Sequence, residues 1–147
     1  MQKLEESSSK LKPQTIKKSV VVIDDSIDFL YLIKIILQMD DYEIFTAQSG
    51  KEAFKVLSEI TPHLILLDMQ MDDMSGTDFL IKLEEMLPDL VKSVPVVFLT
   101  GMSQVPKSKA SGFIRKPIDD IPEFLKQVRN FIDQGVQPQR INHNEEP

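Results

Sequence analysis

VVVIDDS, residues 20–26, is the stretch on which the fold turns. Val20, Val21, Val22 and Ile23 are all β-branched, with no polar residue alternating between them. Such a run marks a strand covered on both faces, the situation of a parallel sheet. Two aspartates end the run, and Ser26 stands where a helix could be capped. Outward from here the same unit recurs. Residues 26–39 (SIDFLYLIKIILQM) carry Ile27, Leu30, Ile33 and Leu37 at helical spacing. Tyr42 to Ala47 reads as a second strand, and Ser49 followed by Glu52 is a capping-box pattern that opens a helix through about Ile60. Leu64 to Leu67 is a third buried strand ending at Asp68, followed by a loop and a helix from about Thr77 to Leu87, stopped by Pro88. Val96 to Leu99 is a fourth strand ending at Thr100, and Phe113 to Arg115 a short fifth, followed by Lys116-Pro117. Residues 122–133 (PEFLKQVRNFID) form a last amphipathic helix with Pro122 in its first turn. Strand–helix alternation of this kind predicts an α/β fold with a parallel sheet.

One crossover breaks the pattern. Between Thr100 and Phe113 lie only GMSQVPKSKASG, with Gly101, Pro106, Gly112 and three serines and no apolar stripe at helical spacing. Parallel neighbours need a crossover of about a dozen residues, usually holding a helix. A loop or a single turn is therefore expected where the fourth crossover helix should stand.

The chain has 147 residues, the size of one domain with short tails. Residues 1–17 are a polar arm with Lys3, Lys10, Lys12 and Lys17 opposed by Glu5 and Glu6, expected to be disordered. Residues 18–134 are the folded part, and 135–147 a tail without periodicity. Lys and Arg total 17 against 23 Asp and Glu, a formal charge of −6, which argues against a nucleic-acid partner. The absence of cysteine excludes disulfides, thiolate catalysis and Cys-ligated metals. With only His63 and His143, a histidine-rich metal site is excluded too, and His63 reads as a loop residue ahead of a strand. No apolar run reaches the ~20 residues of a membrane span, and the N-terminus lacks the apolar core of a secretory signal. A soluble, cytoplasmic protein with no membrane partner is the expectation.

In a parallel α/β sheet, ligands bind beyond the carboxyl ends of the strands, near the topological switch point. The residues that end these strands are Asp24 and Asp25, Asp68, Thr100 and Lys116. Each alone has an ordinary structural reading as a cap, a turn residue or a solvated charge. Together they are three carboxylates, a hydroxyl and an ammonium on one edge. Clustered carboxylates repel unless a cation neutralises them, and oxygen-only ligation suits Mg²⁺. With Lys116 and Thr100 to hold phosphoryl oxygens and Gly101 leaving room, these are the parts for phosphoryl transfer to an aspartate.

At this point the chain resembles a response regulator receiver domain of two-component signalling, the CheY-like family, over about residues 18–133. The pieces that carry the resemblance are VVIDDS at 21–26, LILLDM at 64–69, MSG at 74–76, FLTG at 98–101 and FIRKP at 113–117. It implies a doubly wound, flavodoxin-like sheet of five strands in the order 2-1-3-4-5. It implies that Asp68 is the phosphoacceptor, and that Asp25, Asp68 and the backbone carbonyl of Gln70 ligate Mg²⁺ with Asp24 assisting through water. Thr100 would bond the phosphoryl group and swing toward it, Phe113 would be the aromatic switch that turns inward with it, and Lys116 would pair with the acyl phosphate ahead of a cis Lys116-Pro117 bond. Gln70 and Met102 stand where the family tunes autodephosphorylation.

Two departures accompany the resemblance. Where the family usually has a proline four residues after the phosphoacceptor, this chain has Asp72, followed by Asp73. The loop is thus expected to be acidic and mobile, with Asp73 a solvated charge rather than an addition to the metal site. The second is 101–111, the segment that in the family carries the fourth helix and part of the surface for dimerisation and partners. Met69, Met71 and Met74 are expected to pack under the loop.

The function implied is that of a stand-alone phospho-receiver rather than an enzyme. A histidine kinase or phosphotransfer protein would donate to Asp68, and a downstream effector protein, or a homodimer, would read the result. Two other classes stand beside it. One is a receiver-shaped interaction module that works without phosphorylation, favoured by the irregular 101–111 segment. The other is a phosphatase of the haloacid dehalogenase type, opposed by Gln70 where that chemistry needs a second aspartate.

Overall fold

Each strand expected from the sequence is present, and Ser26 and Ser49 cap the helices that follow the first and second strands, as their positions predict. The computed structural model describes residues 16–137. The expectations for the arm and the tail therefore fall outside the described residues, apart from 16–17 and 135–137, which carry neither helix nor strand. The elements are β1 (Ser19–Ile23), α1 (Ile27–Gln38), β2 (Glu43–Ala47), α2 (Gly50–Leu57), β3 (Leu64–Asp68), α3 (Gly76–Met86), α4 (Pro88–Ser93), β4 (Val96–Thr100), β5 (Gly112–Arg115) and α5 (Ile121–Gln134). The strands form one sheet in the order β2-β1-β3-β4-β5, parallel throughout. This is the doubly wound, flavodoxin-like arrangement.

The two faces of the sheet separate by residue parity, as the two-residue period of a strand requires. Val20, Val22, Leu64, Leu66, Val97, Leu99 and Ile114 pack against Leu30, Ile33 and Leu37 of α1 and Phe124 and Val128 of α5. Val21, Ile23, Ile65, Leu67, Val96 and Phe98 pack against Ala53 and Leu57 of α2, Phe79 and Leu83 of α3, and Leu90 and Val91 of α4. Phe54 stacks on Phe79 with ring centroids 4.6 Å apart, which joins α2 to α3. Full burial of a side chain of this size contributes about 1.5–3 kcal/mol. The all-buried β1, β3 and β4 thus form the centre of the core.

Four helices begin with a side-chain oxygen accepting the N–H three residues on: Ser26 from Phe29, Ser49 from Glu52, Ser75 from Asp78 and Asp120 from Glu123. These caps satisfy N–H groups that a helix start leaves open. They also fix each helix immediately after its strand or loop, and so set where the strand-end residues sit. α2 stops at Leu57, short of the expected Ile60, and two turn residues follow.

Two observations refine the reading of the sequence. Pro88 does end α3, but it also opens α4, a six-residue helix, at its first position. A proline at that position loses nothing, since its missing N–H would have had no helical partner. Between β4 and β5, residues 101–111 contain no helix and no strand, as their composition predicts. Val105 and Ala110 alone reach back from this segment to the apolar layer of α2, α3 and α4.

Candidate functional site

The site lies at the carboxyl edge, where β1 stands between β2 and β3 and the chain runs outward in both directions. Register carries the strand ends to a common level: Ile23 lies beside Leu67, Asp68 beside Leu99 and Thr100 beside Arg115. The ladders continue one step further through Asp24 N–H to Ala47 (3.1 Å), Met69 N–H to Leu99 (3.3 Å) and Lys116 N–H to Thr100 (2.9 Å). Asp24, Asp68 and Lys116 share strand parity with Val22, Leu66 and Ile114, and their side chains therefore meet on the α1–α5 side.

They meet as a triad. The Lys116 ammonium lies 2.8 Å from Asp24 Oδ2 and 3.4 Å from Asp68 Oδ1. It also sits 4.2 Å from the centre of the Phe29 ring, whose face favours a cation. Asp24 is 1% exposed and has both oxygens engaged, Oδ2 by Lys116 and Oδ1 by the N–H of Ser26 at 2.9 Å. Asp25 is partly exposed, and its Oδ2 accepts the N–H of Asp72 at 2.9 Å. Oxygens of Asp24, Asp25 and Asp68 lie within 4.8 Å of one another.

The charges do not balance. One ammonium faces three carboxylates, two of them buried. Burial, followed by the charge of Asp24, pushes the Asp68 carboxyl above its usual range; Lys116 and the Gln70 N–H pull it down without restoring it. Burial opposes the charge of Lys116, but its bond to Asp24 and the charges of both aspartates outweigh that and raise its pKa. The ammonium is thus firmly protonated, and the carboxylates still lack positive charge. An all-oxygen donor set short of positive charge fits a hard divalent cation such as Mg²⁺.

A cleft of about 390 Å³ opens over Asp68, lined also by Gln70, Thr100, Gly101, Met102 and Lys116. The Thr100 hydroxyl is buried and accepts the N–H of Met102 at 2.9 Å. This holds the side chain against the 101–111 segment and leaves its own hydrogen free to donate. Phe113 is 41% exposed, on the sheet face that the irregular segment leaves without a helix. The Arg115 guanidinium lies 4.7 Å over its ring and donates to the carbonyl of Ser103 at 3.1 Å. The Lys116-Pro117 bond is cis.

Of the strand-end residues named from the sequence, Asp68, Thr100 and Lys116 line one cleft, Asp24 and Asp25 adjoin it through Lys116 and Asp68, and Phe113 is not among its lining residues. Three contributors were not legible. Phe29 flanks Lys116, and its only sequence signal is its place in the turn after Ser26. Arg115 bridges Phe113 to the segment before it. Asp73, expected to be solvated, has both carboxylate oxygens on the start of α2, at 3.1 Å from the Gly50 N–H and 3.2 Å from that of Lys51. Met69 and Met71 are buried and Met74 packs on the same cluster. His63 is the loop residue expected, its Nδ1 accepting the Ser19 N–H at 3.0 Å.

The model of the response regulator receiver domain matches residues 20–129, most of the chain. The chain belongs to that family. Histidine kinase P4 of Formosa agariphila is 31% identical over 136 residues, covering 88% of this chain. The match takes in only 10% of the length of that protein. The polar-differentiation response regulator DivK of Brucella anthropi is 25% identical over 121 residues, 78% of this chain and 96% of DivK. Among solved structures, the response regulator TrrA of Thermotoga maritima, in complex with Mg²⁺ and BeF, has a TM-score of 0.67 and 27% identity. That alignment covers 77% of this chain and 97% of TrrA. The receiver domain described here thus places the chain in two-component signalling, in a family of signalling domains rather than enzymes. Among the described residues, no helix is long and apolar enough to cross a membrane.

Proposed function

We propose that this receiver domain accepts a phosphoryl group on Asp68, in the presence of Mg²⁺, from a phosphorylated histidine of a kinase or phosphotransfer protein. The observation that carries this reading is the triad of Asp24, Lys116 and Asp68 beside Asp25 at the mouth of a cleft. Asp25, Asp68 and the backbone carbonyl of Gln70 would hold the cation. Asp24, with both oxygens already bonded, would contribute through water. The cation would neutralise charge on the carboxylates and on the phosphoryl oxygens.

A carboxylate oxygen of Asp68 attacks phosphorus, the O–P bond forms, and the N–P bond breaks with its electron pair returning to the donor imidazole. Lys116, whose ammonium now lies 3.4 Å from Asp68 Oδ1, turns from the carboxylate to a phosphoryl oxygen. Thr100 exchanges its bond to Met102 for one to the phosphoryl group, and Phe113 follows by leaving Arg115 and turning inward. Reversal of the signal is attack of water on phosphorus with departure of the Asp68 carboxylate. Along α1, Ile27, Tyr31 and Ile35, with Met39 at its C-cap, are four apart and leave an exposed apolar stripe beside the site, along which the donor would approach. That stripe suits the helical surface of a donor protein. Output passes to an effector protein or a second copy through the Phe113 and 101–111 face.

Beryllofluoride, which mimics an acyl phosphate, tests the reading. With Mg²⁺ the protein is expected to give bound fluorine resonances in ¹⁹F NMR, and Asp68→Asn to give none. A wild-type spectrum showing only free species would favour the interaction module instead, a reading whose support is the helix-free segment 101–111.

A further inference from the structure

The loop after β3 is closed as a small hairpin. Gln70 and Ser75 form an antiparallel bridge, and the Met71 N–H donates to Met74 at 3.3 Å. Its tip is Asp72-Asp73, and both residues are exposed. Two exposed acids at a turn would ordinarily point into water. Here each makes a contact far along the chain. Both oxygens of Asp73 take the first two N–H groups of α2, which a helix start leaves without internal partners. The positive end of the helix favours a carboxylate there. Met74 packs onto the same point so closely that a Cβ on Gly50 would meet its sulfur at 2.7 Å.

The second contact is the Asp72 N–H to Asp25 Oδ2 at 2.9 Å. Among the described residues it is the only hydrogen bond to the Asp25 carboxylate. Asp25 is also the one acid of the three that neither Lys116 nor burial holds in place. The backbone N–H that orients it exists because residue 72 is not proline. That N–H stays in position only while the hairpin tip does, and Asp73 fastens the tip to α2.

We propose that Asp73 is a positioning residue for the cation site: by anchoring the hairpin tip to the start of α2, it holds the Asp72 N–H against Asp25 and presets that carboxylate. The proposal rests on the reading of Asp24, Asp25 and Asp68 as a cation site. Residues that orient a metal ligand typically change metal affinity by about tenfold or more.

The test is Mn²⁺ binding, followed by electron paramagnetic resonance of the free ion, on the full chain. Asp73→Ala is expected to weaken binding about tenfold. Asp72→Asn removes an equal charge at the tip but keeps the N–H, and is expected to stay within about twofold of wild type. Ser49→Ala removes the other side-chain cap of α2 (Oγ to Glu52 N–H, 3.0 Å) without touching the hairpin, and is expected to do the same. Should Asp73→Ala not fold, Asp73→Asn, which keeps one acceptor oxygen, takes its place with a smaller loss in the same direction. Unchanged affinity in the Asp73 variant overturns the proposal. So does an equal loss in Asp72→Asn, which would make the effect one of charge, or in Ser49→Ala, which would make it one of helix stability. Failure of the wild type itself to bind Mn²⁺ removes the cation site, and the proposal with it, and is read without any variant.

Discussion

Asp68, the proposed acceptor, is placed at a cost to the fold. Its carboxylate is buried beside Asp24, and both causes raise its pKa. A carboxyl that binds its proton more tightly when folded than when unfolded destabilises the folded state as pH rises through the interval between the two pKa values. Above the folded pKa the full penalty remains. Without divalent cation, Asp68→Asn is therefore expected to melt at a higher temperature than wild type at pH 7. The difference should vanish below about pH 4, where the unfolded carboxyl is also protonated. Thermal melts of the two proteins at both pH values check this, and equal melting at pH 7 would contradict it. The same imbalance is what a cation relieves, so stability and function pull against each other at this position. Lys116 could be named from the sequence because it ends a strand. Phe29, which lines its other side, could not, because a cation–ring contact across 87 positions leaves no local pattern.

The elements were legible wherever burial is continuous or a cap is chemical. β1, β3 and β4 are buried at every position, and their unbroken apolar runs show it. Ser26 and Ser49 begin helices as their positions in the sequence suggest, and Ser75 and Asp120, not singled out as caps in the sequence, do the same. α4 was missed because Pro88 reads as a stop, and the same ring geometry that stops one helix can start another. The anchoring of Asp73 was missed for a different reason. An acid in a turn looks solvated until the fold brings a helix start to it. Gly76 shows how closely the hairpin and β3 fit. A Cβ there would lie 2.5 Å from the backbone oxygen of Asp68 and 3.0 Å from the Met69 Cα, neither of which can rotate away. Gly76→Ala is expected to lower stability by about 1–3 kcal/mol through overpacking, measurable by urea denaturation. Because the strained atom belongs to Asp68, beryllofluoride binding should weaken as well.

The whole molecule is a doubly wound sheet whose chemistry lies at one edge and whose coverage is uneven. Two helices cover one face. The other has three, but beside β5 it has only the helix-free 101–111 segment with Val105 and Ala110 turned inward. Arg115 ties that segment to Phe113 through the carbonyl of Ser103. Any movement of Phe113 is thereby felt by a loop rather than by a rigid helix. The irregularity was visible in the composition of 101–111, whereas the way it is fastened was not. In the proposed function, phosphorylation of Asp68 is what joins the edge chemistry to this face, and one measurement addresses it directly. Intact-protein mass is recorded after incubation with acetyl phosphate and Mg²⁺, alongside Asp68→Asn and an EDTA control. A single labile adduct of about 80 Da, the mass of one phosphoryl group, present in the wild type and absent from both controls, is the predicted result. An adduct that survives in Asp68→Asn, or none in the wild type with either acetyl phosphate or a phosphorylated histidine donor, would contradict it.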